Sequence, residues 1–365
     1  MIRALAVSML AIFIPIYFFK DLNYSIQNIL YFYIIVFLTI AIFSPLAGKL
    51  ISRIGFKHNI LLSTFFFIIA FLLLNLLKIQ NSQDLFYFIP IIFGIGNALY
   101  WNSFHIDLAK YSKKGYRGEQ IAAWQVLAGI SAIIGPLVAG LILKFYSFNV
   151  LFIVGSFIFL ISVIPLFFSK DQHIKFKFSY KYILKKEHFK EGLTFAVTGI
   201  KQVVLTILWP FFIYLIVLDY LKFGSVMTAI NILALITYGT IGKLSDIKKS
   251  EILLKFGAII HLTISLVMGF IKTIIQIIGA SVFIISGIYL TELNTTKKAY
   301  ETAKNSSNLA GYMVFREVVL NIGRALLTLI FLILVSIPLS IQTSFIIIFI
   351  ISGLSGLIHI IRPRK

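Results

Sequence analysis

The chain has 365 residues, of which 59% are hydrophobic and only 13% are charged, and its formal net charge is +20. No water-soluble domain of this size can bury so much apolar surface, so the composition predicts a polytopic membrane protein. The absence of cysteine excludes disulfides, thiol nucleophiles and metal sites built on cysteine.

The apolar residues form twelve candidate membrane spans, each near the length of about 20 residues that a crossing needs. The first has Arg3 ahead of its apolar core but no small-x-small cleavage site behind it, so it is interpreted as a retained span and not a signal peptide. We therefore predict an all-α polytopic fold. The predicted spans are Ile2–Phe19, Ile29–Ala47, Ile60–Leu77, Leu85–Leu108, Ile121–Leu143, Phe148–Phe168, Leu193–Leu218, Phe223–Ile241, Ile252–Ile271, Ile274–Leu293, Leu309–Val335 and Ile341–Ile361.

A long polar stretch, residues 169–192, divides these spans into six and six. It predicts a six-helix bundle over residues 1–168, a basic linker over 169–192 and a second six-helix bundle over 193–365. Two interpretations of the linker lysines stay open. They form the polar face of an amphipathic helix on an anionic membrane surface, or they belong to a solvated connection that only enforces topology.

The distribution of basic residues orients the bundle. Loops that follow the odd-numbered spans contain Lys20, Lys78, Lys144, Lys222 and Lys272, whereas most other lysines and arginines lie on the opposite face with both termini. The positive-inside rule therefore predicts that both termini are cytoplasmic. We expect the protein to be integral to the plasma membrane. Because the positive charge lies in loops between apolar runs, lipid headgroups explain it better than nucleic acid does.

A short basic loop, GKLISRIGFKH at Gly48–His58, lies between spans 2 and 3. It resembles the corresponding loop of major facilitator superfamily (MFS) transporters, whose pattern is G-x-L-x-D-R-x-G-R-K. Gly48, Arg53 and Gly55 match this pattern, as do Leu50 and Lys57, whereas Ser52 stands where the family usually has aspartate.

Two further patterns agree with this resemblance. GKLSD at Gly242–Asp246 follows span 8 as GKLIS follows span 2, which indicates two parallel six-helix repeats with a substrate site between them. In span 5, GISAIIGPLVAG resembles a pattern common in MFS exporters and proton antiporters. Its residues Gly135, Pro136 and Gly140 predict a bent and closely packed helix surface, or alternatively only ordinary small-residue packing.

Charged residues inside spans are the best candidates for substrate or coupling sites, because burying them in a membrane is costly. In span 11, Glu317, Asn321 and Arg324 recur at i, i+4 and i+7 and share one helix face, with Arg316 nearby. Lys201 in span 7 is predicted to face the same cavity. Alternatively, Lys201 extends to the lipid headgroups, or Glu317 pairs with Arg324 or Lys201 and only clamps helices.

Span 4 provides Asn97 and Trp101 as candidate cavity residues, and span 5 provides Gln125. The pair His105 and Asp107 is too sparse for a metal site. In the family, an acidic residue at this end of span 4 pairs with the loop arginine. The resemblance thus implies a cytoplasmic gate in which Asp107 pairs with Arg53, with Gly242, Asp246 and Glu292 as its counterparts in the second repeat.

The resemblance implies a secondary active transporter of the MFS type that works by alternating access as a monomer, with no cofactor. The intramembrane charges indicate a small organic substrate that is anionic, zwitterionic or amphipathic, and Glu317 is the candidate carrier of a coupled proton. The span 5 pattern favours export. The alternatives are an importer of an organic anion and a polytopic membrane enzyme that acts on lipid.

Overall fold

The computed structural model describes residues 1–80, 82–111, 117–168, 170–178, 180, 188–247 and 250–361. The side chains of residues 117–122, 125, 243–247, 250 and 360–361 lie outside this description, although their backbone belongs to helices. All regular structure in the described part is helical. The all-α prediction is confirmed.

Ten helices in the described part are long and apolar enough to cross a membrane. One of them, Ile26–Gln80, has 55 residues and contains the predicted spans 2 and 3, and a shorter apolar helix coincides with span 12. The helices are α1 (Ile2–Asp21), α2 (26–54), α3 (56–80), α4 (Gln83–Tyr111), α5 (Arg117–Phe145), α6 (Phe148–Phe167), α7 (Phe189–Val217), α8 (Tyr220–Ile247), α9 (Ser250–Ser265), α10 (Ile274–Asn305), α11 (Leu309–Ser336) and α12 (Ile341–Ser355).

The connection between α2 and α3 is much shorter than the predicted loop Gly48–His58. Helical backbone continues on both sides of Gly55, which alone departs from it with φ 82° and ψ 171°. A positive φ of this kind is readily adopted only by glycine, so one residue is enough to turn the chain. The expected eleven-residue loop is therefore wrong, and most of its basic residues lie on helix ends.

Side-chain caps fix the starts of the last three helices. Thr273 and Gln276 form a reciprocal capping box at α10, and Asn308 accepts a hydrogen bond from the Gly311 N–H at α11. Ser340 accepts one from the Thr343 N–H at α12. These bonds satisfy N–H groups that the first turn of a helix leaves without partners.

Contacts join the N-terminal half (α1–α6) and the C-terminal half (α7–α12) at both ends of the bundle. At the end that carries the α2–α3 connection, here called the basic face, Val314 of α11 and the ring of Phe176 lie against Gly48. At the opposite end, Phe19 packs edge-on against Phe211 with ring centroids 5.6 Å apart. The space between these two layers is the position of the candidate site.

The span 5 pattern lies where α5 approaches both halves. Gly135 lies against Ser8 of α1, and a Cβ at Gly140 would lie 2.8 Å from the Tyr220 carbonyl oxygen of α8. Pro136 has no N–H for the carbonyl of Ala132, one turn earlier. Asn231 of α8 supplies a replacement, since its Nδ2 donates to the Ala132 oxygen at 2.6 Å. The bend thus provides a hydrogen bond between the two halves.

Candidate functional site

A cavity of about 140 Å³ lies between the two halves. The N-terminal half contributes residues of α4 and α5, and the C-terminal half contributes residues of α7, α10 and α11. The lining residues are Trp101, His105, Leu108, Trp124, Gln202, Glu292, Thr296, Tyr300, Arg316, Glu317, Leu320 and Arg324. Two carboxylates and two guanidinium groups thus meet an aromatic wall, so the formal charges of the lining balance when His105 is neutral.

Glu317 is almost fully enclosed, with only 3% of the residue exposed. It forms an ion pair with the neighbouring Arg316. It also lies 3.6 Å from Nε2 of His105, which belongs to the other half. The second ring nitrogen of His105 lies 2.5 Å from the Tyr300 hydroxyl. A connected set of ionisable groups therefore crosses the boundary between the halves.

A second charged group is built around Gln202 of α7. The Gln202 side-chain nitrogen donates a hydrogen bond to Glu292 of α10. Its oxygen accepts one from Nη2 of Arg324 at 2.6 Å. Arg324 also donates to Oδ1 of Asn321 at 3.1 Å, and its guanidinium lies 5.7 Å from the ring centroid of Phe37. One neutral amide thus separates a carboxylate from a guanidinium.

Lys201 does not line the cavity, contrary to the prediction. It is 2% exposed, its Nζ donates to Oγ1 of Thr291 at 3.0 Å, and it lies beside Gly356 after α12. Among the described residues no carboxylate lies within ion-pair distance of Lys201, so the alternative pair with Glu317 is not formed either. The reason is geometric, because Gln202, the next residue on the helix, occupies the cavity side.

The other predicted cavity residues divide into two groups. Trp101, Arg316, Glu317 and Arg324 line the cavity. Asn321 lies behind it and supports Arg324, and Asn97 donates to the Phe93 carbonyl of its own helix at 2.9 Å. The side chain of Gln125 lies outside the described residues. The alternative clamp between Glu317 and Arg324 is not among the ion pairs of the described part, where Glu317 pairs with Arg316.

Glu292 was expected at the gate but lines the cavity. The predicted span ended at Leu293, whereas α10 continues to Asn305, which places Glu292 well inside the helix. Sequence reasoning did not select Gln202, Tyr300 or Trp124 for the cavity. Gln202 and Trp124 each stand next to a predicted residue, Lys201 and Gln125, but adjacency does not say which residue of a pair faces the cavity. Tyr300 has no predicted residue beside it.

The expected gate between Arg53 and Asp107 is not formed in the described part of the chain. In the described part no ion pair joins these two residues, and Arg53 is exposed. Ser52 donates only to the Lys49 carbonyl of its own helix, at 2.7 Å. The side chain of Asp246 lies outside the described residues, and Gly242 lies on α8 near its end. The pairing expected from the resemblance is therefore not formed.

Asp171 of the linker occupies the turn at Gly55. Its Oδ1 accepts hydrogen bonds from the Lys57 N–H at 3.0 Å and from its neighbour Gln172 N–H at 2.8 Å, and its Oδ2 contacts Nδ1 of His58. A carboxylate at the start of a helix interacts favourably with the free N–H groups and the helix dipole. Asp171 thus anchors the linker to the start of α3.

The rest of the described linker crosses the basic face, and residues 170–178, here called the strap, lie outside any helix. The His173 carbonyl accepts from Lys110 of α4 at 3.1 Å. The Lys177 carbonyl accepts from Nδ2 of Asn308, at the start of α11, at 2.6 Å. The strap therefore touches both halves. Over residues 170–178 the amphipathic-helix interpretation is wrong, because the strap is not helical and packs Ile174, Phe176 and Phe178 against the core.

Comparison with known proteins agrees with this architecture. The profile of the Major Facilitator Superfamily matches residues 1–296. The chain belongs to this superfamily. The uncharacterized protein YqgE of Bacillus subtilis (strain 168) is 25% identical over 307 residues, which cover 80% of this chain and 70% of that protein. This MFS membership confirms the resemblance seen in the basic loop.

Solved structures share the MFS fold. The E. coli fucose:proton symporter FucP superposes with a TM-score of 0.69 and 15% identity, over 100% of this chain and 96% of that chain. A structure of FucP in the outward conformation gives a TM-score of 0.71 and 14% identity, with the same coverage. The protein is thus a multi-pass MFS membrane protein and a secondary transporter of small molecules, not an enzyme.

Proposed function

We propose that this MFS protein moves a small charged organic solute across the membrane by alternating access, coupled to protons. The observation that supports this most directly is the cavity between the halves, which holds two carboxylates and two guanidinium groups from α10 and α11. Charges at this depth are costly and are characteristic of transport pathways. Each half would rock about the cavity and expose it to one side at a time.

Glu317 is the residue we assign to proton coupling. It is buried, and its neighbours Arg316 and His105 come from opposite halves. When the halves separate at the basic face, His105 of α4 moves away from Glu317 of α11, so the stabilisation of the carboxylate changes with conformation. A carboxyl group whose surroundings differ between two states binds a proton more tightly in one of them.

The coupling assignment is tested in liposomes that contain the purified protein and a pH-sensitive dye. Addition of a transported solute should produce a pH change inside the vesicles. Glu317→Gln should largely abolish this change, because the amide cannot take up a proton as the carboxylate does, while solute exchange persists. Glu251→Gln removes an exposed carboxylate at the start of α9 and is the matched control. Full proton movement in Glu317→Gln would contradict the assignment.

The direction of transport is proposed from the span 5 pattern, which favours export from the cytoplasm in exchange for protons. A second candidate is import of an organic anion together with a proton; the FucP structures that share the fold are those of a fucose:proton symporter. The same dye distinguishes them, because a symported proton follows the solute and an antiported proton moves against it. If no solute of a broad panel produces either exchange or a pH change, the proposed function itself is wrong.

We also propose that the basic face is cytoplasmic and that the protein acts as a monomer in the plasma membrane. The support is the concentration of lysine and arginine on that face, which also carries both termini. Protease or biotinylation accessibility of a tag placed after Lys365 in intact cells tests the orientation. Modification of the tag from outside the cell would contradict it.

A further inference from the structure

The charges that line the cavity differ in how they are satisfied. Arg316 and Glu317 form an ion pair with each other. Glu292 and Arg324 have no oppositely charged group within ion-pair distance in the described part of the chain. Each of them instead contacts the same neutral side chain, that of Gln202. The cavity therefore contains one internally neutralised pair and one carboxylate and one guanidinium that are available to a ligand.

Gln202 presents two opposite polarities to these two charges. Its N–H donates to Glu292, as an ammonium would, and its carbonyl oxygen accepts from Arg324, as a carboxylate would. Charge-assisted hydrogen bonds between ionised partners are stronger than bonds to a neutral amide. A ligand that carried both an ammonium and a carboxylate would therefore compete favourably with Gln202 for both positions.

We propose that the transported solute is a zwitterion with its ammonium and carboxylate on the same or adjacent carbons, as in an α-amino acid. This inference rests on the proposed transport function. The ammonium binds Glu292 and the carboxylate binds Arg324, with the Gln202 side chain displaced. The spacing follows from the amide, because the nitrogen and oxygen of Gln202 that reach the two charges are attached to a single carbon.

The opposite wall of the cavity indicates what the rest of the solute is like. Trp101 of α4 and Trp124 of α5 face the charged helices, and Tyr300 and Leu320 complete an apolar surface. Aromatic faces of this kind bind apolar or aromatic groups and also attract cations. With about 140 Å³ available, the site suits a single small side chain. An apolar α-amino acid combines all of these features.

The charge requirement is tested first on the unaltered protein. The purified transporter is screened by thermal shift against the twenty common amino acids, because a ligand stabilises the state that it binds. The best binder is then compared with its analogue lacking the ammonium and its analogue lacking the carboxylate. For phenylalanine these are phenylpropionate and phenethylamine. Each analogue should bind roughly tenfold to a hundredfold more weakly, the loss of one hydrogen bond to a charged group.

A variant assigns the ammonium end of the ligand to Glu292. Glu292→Gln should abolish the preference for the amino acid over its ammonium-free analogue, whereas the control Glu251→Gln should retain it. Equal binding of the ammonium-free analogue to the unaltered protein, or no stabilisation by any amino acid, would overturn the zwitterion assignment. Transport would still be established separately by the dye assay with other solutes, so failure of this inference is distinguishable from failure of the proposed function.

Discussion

Two consecutive residues of α7, Lys201 and Gln202, have opposite roles in the structure. Adjacent residues of an α-helix point about 100° apart, so the lysine packs inside the C-terminal half against Thr291 while the glutamine faces the cavity. Polarity along the sequence places the pair on a functional helix. It does not decide which member meets the solute, because that depends on the rotation of α7 relative to its neighbours.

Lys201 should be dispensable for stability and for solute recognition. A buried charge that lacks a counter-charge carries a desolvation penalty, so replacing it by an apolar residue of similar volume is expected to be neutral or stabilising. Lys201→Met should therefore unfold at the same temperature as the unaltered protein or higher, and it should keep the amino-acid preference. The exposed Lys222→Met serves as control for the same chemical change. A large loss of stability would show that Lys201 has an essential partner.

The sequence predicts those cavity residues that are charged and lie within an apolar span. Glu317, Arg316 and Arg324 stand in an apolar span, and the energetic penalty of that position was sufficient to select them. Glu292 lines the cavity and not the gate because α10 continues past the predicted span end at Leu293, through polar residues, to Asn305. The position of Glu292 along the helix depends on where α10 ends, and hydropathy does not determine that end.

At the scale of single elements, the start of α3 depends on a residue more than a hundred positions away. Asp171 contacts the turn at Gly55, so the linker supplies the carboxylate at this loop, where the family's aspartate is replaced by Ser52. Burial alone would raise the pKa of Asp171, but hydrogen bonds from His58 and from the Lys57 and Gln172 N–H groups lower it overall. The folded state thus favours the ionised form.

This shift predicts the pH dependence of the Asp171 contribution. Because the folded pKa lies below the ordinary value of 3.8, the stabilisation is complete above that value and is lost as the pH falls through the folded pKa. Asp171→Asn should lower stability by about 1 kcal/mol near neutral pH, and the difference should disappear in strong acid. Thermal unfolding across pH measures it.

The matched control for this experiment is Asp84→Asn, since Asp84 is an exposed carboxylate in the first turn of α4. It has the same chemistry and a similar position on its helix, but it is not in the strap. A difference between unaltered protein and Asp171→Asn that stays constant from neutral pH to strong acid would contradict the role of the ionised carboxylate.

At the scale of the whole molecule, the two halves are joined through polar as well as apolar contacts. Asn231 and Thr228 of α8 donate to the Ala132 and Ile133 carbonyls beside the Pro136 bend of α5, at 2.6 and 2.8 Å. In a membrane, an unsatisfied carbonyl is costly, and neighbouring helices commonly satisfy those that a proline leaves free. Asn231 of α8 therefore compensates across the interface for the N–H that Pro136 of α5 lacks.

A double-mutant cycle tests whether Asn231 compensates for Pro136. Asn231→Leu should destabilise the protein by about 1–3 kcal/mol, because the Ala132 carbonyl loses its donor. In a Pro136→Ala background the alanine N–H can donate to the same carbonyl, so Asn231→Leu should have a smaller effect there. Equal effects in both backgrounds, measured by thermal unfolding, would show that Asn231 does not compensate for the proline.

The global architecture was largely predictable, because a chain that crosses a lipid bilayer must satisfy its backbone hydrogen bonds within long apolar helices. Such helices are recognisable from hydropathy. Apolar length gave the spans and basic residues gave a common face, and the MFS fold is confirmed by the profile match and the structural neighbours. The division into halves at 169–192 stays a prediction. The path of the strap was not predictable, since Ile174, Phe176 and Phe178 alternate with lysines in a stretch that composition marks as polar.

The strap also acts as a tether of fixed length. Residues 170–178 are attached to the α2–α3 turn at one end and to the start of α11 at the other. The six residue steps from Asp171 to Lys177 reach at most about 22 Å even when fully extended, so the two attached residues can separate only to that limit while both contacts remain. Wider opening requires that the strap peel away from one half. The contact that releases first then determines how readily the basic face opens, independently of the solute in the cavity.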